Sequence, residues 1–137
     1  MTQTYLSAAV LVLLVGCLAS PQREQMGRLH EQLVGARAAL GEERVEAGCN
    51  DVGDVQSKLW GEPGLSEVQP AWGELRAASD ALVAACGQTR LLQQAYEDTP
   101  AMVEARERWR VGLAHELTTA CQHLSEAARA LNLTRTC

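Results

Sequence analysis

DTPAMVEARERWRVGLAHELTTACQHLSEAARALN, residues 98–132, is the stretch on which the fold turns. Thr99 is a favoured helix N-cap, and Pro100 stands at the first helical position, where its fixed φ suits the helix and no N–H is needed. From there Val103, Trp109, Leu113, Leu117, Cys121, Leu124, Ala128 and Leu131 recur on one face. Asn132 then tolerates the left-handed conformation that ends helices. A helix of this length spans about 47 Å.

The same signs recur upstream. Pro70 opens a second periodic segment carrying Trp72, Leu75, Ser79, Leu82, Cys86, Thr89, Leu92 and Tyr96. Ser20-Pro21 opens a first one, with Met26, Leu29, Leu33, Ala36 and Leu40 at steps of three and four and Gly48 as its stop. A short helical piece is expected between Asp51 and Trp60, closed by the Gly61-Glu62-Pro63-Gly64 breaker. Nowhere do apolar residues alternate with the period of a strand. The expected fold is all-α: an antiparallel bundle of three long helices plus one short helix over residues 21–137, braced by disulfides.

Composition narrows the function. The 137 residues are 47% hydrophobic and 21% charged, with 12 Lys+Arg against 17 Asp+Glu for a net charge of -5. An acidic chain lacks the basic stripe that tracks a phosphate backbone, which argues against nucleic acid as a partner. Phe is absent, so Leu and Ala must fill the core.

Residues 1–16 read as an export signal. The apolar run YLSAAVLVLLVG, from Tyr5 to Gly16, is shorter than the roughly 20 residues a membrane-spanning helix needs and fits the roughly 7 to 15 of a signal core. Leu14-Val15-Gly16-Cys17 resembles the lipobox of bacterial lipoproteins, although Met1 to Tyr5 carry no Lys or Arg. That resemblance implies a diacylglycerylated and acylated Cys17, residues 17–20 as a tether, and, with Leu18 rather than Asp following, delivery to the outer membrane. The competing reading is cleavage after Ala19, giving a soluble secreted factor.

Four cysteines then remain in an oxidising compartment: Cys49, Cys86, Cys121 and Cys137. Linked Cα atoms lie about 4.4 to 6.8 Å apart, so heights along the bundle discriminate among the three pairings. With three long crossings, Cys49 sits at the top of the first helix, Cys121 lies near the same end of the last, and Cys86 lies far below. The expected links are Cys49 with Cys121 and Cys86 with Cys137.

Motifs for chemistry are sparse. His115 and His123 lie about 80° apart around an ideal helix and could share a groove with His30 or Glu116, but no strong metal-ligand spacing accompanies them. Haem attachment would need C-x-x-C-H, and Cys121-Gln122-His123 is one residue short of it. Neither a nucleophile elbow nor a phosphate loop occurs, and Ser125 is turned about 200° from His123. Asn132-Leu133-Thr134 matches a glycosylation acceptor that matters only in a eukaryote. The expectation is therefore no enzyme, no cofactor and no metal.

Arg106, Arg108 and Arg110 around Trp109, together with Trp60 beside the breaker, are the candidate partner-binding residues, because Arg and Trp dominate binding hot spots. The alternative gives Trp109 to the core and the arginines to helix pairs with Glu104 and Glu107. The function expected is a lipid-anchored envelope protein that binds or assembles another envelope protein. A periplasmic or surface ligand or metal sensor is the second reading. In architecture alone the chain resembles the pilotins of type II secretion, small helical outer-membrane lipoproteins that escort a secretin, without carrying a motif specific to them.

Overall fold

A computed structural model describes residues 21–59 and 68–137, and every regular element in them is helical. The signal, Cys17, the tether 17–20 and Trp60 lie outside the described residues. Four helices follow in order: α1 (Pro21–Gly41), α2 (Val45–Lys58), α3 (Gln69–Gln94) and α4 (Pro100–Leu131).

The first helix is shorter than its sequence suggests. It stops at Gly41, and the chain reverses through Glu43, which takes φ 63° while Arg44 N–H donates back to the Ala39 carbonyl at 2.8 Å. A left-handed residue closed by such a bond is the turn that usually employs glycine. Gly48 is accordingly not a stop but a buried residue of α2, packed so close to α1 that a Cβ there would lie 2.9 Å from Leu40 Cγ. The expected short piece from Asp51 to Trp60 is thus a helix of 14 residues that starts six positions earlier, at Val45.

That change reverses the direction of everything after it. With α2 a full return crossing, α3 climbs and α4 descends relative to α1. Side chains of α1 confirm the second of these directions, since Arg23, His30 and Arg37 reach the carbonyls of Ala130, Leu124 and Leu117 in that falling order. Cys86 therefore lies near the upper end beside Cys49, and Cys121 lies low, where the tail after α4 can fold back.

The disulfides are Cys49–Cys86, with Cα atoms 5.8 Å apart, and Cys121–Cys137, at 5.6 Å. The pairing Cys49–Cys121 with Cys86–Cys137 is corrected for this reason: its heights rest on one crossing too few. The first ties α2 to α3, and the second ties the non-helical tail to α4.

The core occupies the lower part of the bundle. Met26, Leu29, Leu33, Ala36 and Leu40 of α1 are all buried, facing Leu75, Ala78, Leu82 and Ala85 of α3 and Leu124, Ala127 and Leu131 of α4. Full burial of a Leu contributes about 1.5 to 3 kcal/mol, whereas the alanines chiefly let the helices approach closely. The ends of α4 behave as read: the Thr99 hydroxyl accepts from Met102 N–H at 3.2 Å, and Asn132 is left-handed at φ 55°.

Candidate functional site

Among the described residues, only two helices occupy the upper part of the bundle. Arg37 of α1 is level with Leu117 of α4, so α1 ends about one turn above, near Leu113, and the hairpin of α3 and α4 continues alone. The overhang comprises α3 from about Gln88 to Gln94, about 10 Å, and α4 from Pro100 to Gly112, about 20 Å. Gln88 lies against Gly112, and Arg106 reaches the Ala95 carbonyl, which holds the two helices together along this length.

Burial follows the loss of neighbours. The first buried residue of α4 is Ala120, the twenty-first position of the helix. Val103 and Tyr96, expected on core stripes, are 50% and 84% exposed, because nothing from α1 or α2 extends far enough to cover them. Leu91 and Val111 join them as exposed apolar residues.

Two hollows run along the uncovered face. One, of about 460 Å³, lies at the base, where Leu40 and Val45 at the α1–α2 turn face Leu113 and Leu117. The other, about 920 Å³ and open to solvent, continues to the tip past Arg110, Glu107, Val103 and Pro100. Leu92, Arg106 and Arg110 line both, so they form one groove. Its α4 wall is the series Pro100, Val103, Glu107, Arg110, Ala114 and Leu117, spaced alternately by three and four residues. Such spacing lines the six up as one seam on a single face of α4, with its two central positions charged. The stripe read in the sequence shares Val103 and Leu117 with it but between them takes Trp109 and Leu113.

The arginines have different roles. Arg106 is a brace of the α3–α4 loop: it donates to the carbonyls of Ala95 and Glu97 and pairs with Asp98 at 2.8 Å, its side chain only 17% exposed. Its guanidinium is thereby engaged within the chain. Arg108 and Arg110 are exposed, facing Glu104 at 3.4 Å and Glu107 at 3.9 Å. Trp109 is half-buried.

The histidines are dispersed. His30 is fully buried on α1 and its Nε2–H donates to the Leu124 carbonyl at 3.0 Å. His123 shares a hydrogen bond with Glu74 of α3 at 2.6 Å, whereas His115 is exposed on the overhang side. The groove that His115 and His123 were to share is therefore not formed with His30. Among the described residues no three His, Cys, Asp or Glu side chains gather as metal ligands. No described helix is long and apolar enough to cross a membrane.

Burial pushes the His30 imidazole below its ordinary value, against the upward pull of the Leu124 carbonyl and of Glu31. His30 thus belongs to a polar series on α1, Arg23, His30 and Arg37, each seven residues from the next and each bonded to an α4 carbonyl. No signal in the sequence distinguishes this series from the solvated face. The chain matches no protein-family model, and neither a curated protein nor a solved structure is significantly similar to it.

Proposed function

We propose that the protein is a lipid-anchored module of the bacterial cell envelope that binds another envelope protein without chemistry of its own, its body an antiparallel bundle of three long helices and one shorter one. The observation that carries this reading is the overhanging α3–α4 hairpin. It lies at the end of the bundle opposite Pro21, since Arg23 sits beside Ala130 at the foot of α4.

A lipidated Cys17 joins Pro21 through residues 17–20, a tether of at most about 14 Å. The foot of the bundle then rests near the bilayer, and the hairpin stands away from it by the length of α4, about 48 Å. Exposed Leu91, Tyr96, Arg108 and Val111 offer a partner both apolar area and charge. Two acyl chains or more make such an anchor durable.

Intact mass spectrometry of the protein from the membrane fraction, before and after reduction, tests the anchoring. The expected mass begins at Cys17 with about three acyl chains, and four thiols appear on reduction. A mass beginning at Ser20 without lipid makes it a secreted factor instead. Crosslinking in intact envelopes tests the binding: a specific adduct is expected, weakened by Arg108→Ala, and its persistence in that variant rules out the hairpin as the contact.

A further inference from the structure

The geometry points to a second copy of this chain as the occupant of the groove, packed antiparallel so that the two α4 overhangs complete one another. The groove marks a missing part of the bundle, where α1 and α2 stop and α3 and α4 go on. What it lacks is helical cover for about 20 Å along α4, and the overhang of a second molecule supplies an α4 of that length flanked by about 10 Å of α3.

The seam is self-complementary. Its six positions read Pro100, Val103, Glu107, Arg110, Ala114 and Leu117, with the two charges of opposite sign at the centre. A two-fold axis between positions 107 and 110 sets Glu107 against Arg110 of the second copy, and Arg110 against its Glu107. The same axis places Val103 on Ala114 and Pro100 on Leu117, small or apolar residues throughout. Pro100 of each copy then enters the hollow of about 460 Å³ that Leu40 and Val45 wall in the other.

An isologous contact requires a patch that complements itself, and one of uniform charge cannot do so. Within one chain Glu107 and Arg110 are 3.9 Å apart and both more than 60% exposed, so they remain open to a partner. This inference goes beyond the envelope-binding reading: the antiparallel seam sets the two Pro21 feet at opposite ends of the dimer, so two copies anchored in the same bilayer cannot form it, and it concerns copies in facing bilayers or released from the membrane. Leu91, Tyr96 and Arg108 lie outside the seam and remain free for another protein.

Sedimentation equilibrium of the full chain in density-matched detergent tests it, with Glu107→Arg and Arg110→Glu as variants. The wild type is expected to be dimeric at micromolar concentration. Each variant sets like charges against each other at both contacts, so its dissociation constant rises on the order of tenfold or more. Mixing the two variants in equal amounts sets a seam with two central arginines against one with two central glutamates. Opposite charges then meet at both contacts, and the dimer returns. A monomeric wild type overturns the proposal, as do single variants that dimerise as strongly as the wild type or a mixture no tighter than they are. The mass at Cys17 leaves this outcome untouched, so failure of either reading is distinguishable from failure of the other.

Discussion

Replacing His30 with Leu should flatten the pH dependence of stability below about pH 6.5. In the folded chain the imidazole must carry its proton on Nε2, because that atom faces the Leu124 carbonyl, which can only accept. A second proton would have to go on Nδ1, which is buried and has no partner. Burial therefore holds the folded pKa below the ordinary value, with Arg135 pushing the same way and the Leu124 carbonyl and Glu31 pulling back. Below about pH 6.5 the unfolded chain binds a proton that the folded chain refuses. Stability consequently falls as pH falls below about 6.5, by at most about 1.4 kcal/mol at pH 5.5, the ceiling that the unfolded imidazole's own titration sets, and levels off once the folded imidazole also protonates. His30→Leu removes this loss, for a neutral hydrogen bond worth about 1 kcal/mol at pH 7.5. Urea titrations of both chains across this range give the difference directly. Carboxylates and the other histidines are common to both chains and cancel, and Asp54, hydrogen-bonded by Gln32 and Lys58, is held below the usual carboxylate range. Parallel stability curves for the two chains would refute the reasoning.

Non-reducing peptide mapping should find Cys49 joined to Cys86 and Cys121 to Cys137, separations of 37 and 16 residues. In the chain-entropy account, replacing the first pair with Ser lowers stability by about 4 kcal/mol and the second by about 3 kcal/mol, read from urea midpoints. Gly48→Ala forces a methyl group to within 3.1 Å of the Ala36 carbonyl, a backbone atom that cannot give way as Leu40 can, and should cost about 1 to 3 kcal/mol in the same assay. Glu43→Gly should do the opposite. It relieves a left-handed non-glycine residue, φ 63°, and is expected to raise stability by about 0.5 to 1 kcal/mol. A destabilised Glu43→Gly would mean that this turn is not the one described.

The contrast between two helix ends shows where the sequence is legible and where it is not. Asn132 and Glu43 adopt nearly the same backbone, φ 55° and φ 63°, and each is followed by a residue whose N–H returns to a carbonyl five positions back, Leu133 to Ala128 and Arg44 to Ala39. Asparagine announces that geometry, because its short side chain tolerates it, whereas glutamate does not. Pattern alone therefore puts the first stop at Gly48, a glycine present for close helix contact rather than for its backbone. One misplaced turn leaves the buried stripes of α1 intact, since periodicity is local, but it changes the number of crossings and with it the direction of α3 and α4. Disulfide pairing depends on direction, so it inverts too. The overhang is hidden by the same error: three matched helices leave no groove, whereas an α1 of 21 residues beside an α4 of 32 must leave one. The core stripe then extends to Val103 and Tyr96, which the folded chain leaves in solvent. Local patterns determine which faces are apolar. Whether an apolar face is covered depends on helix lengths, and here a single residue in an unusual conformation sets those.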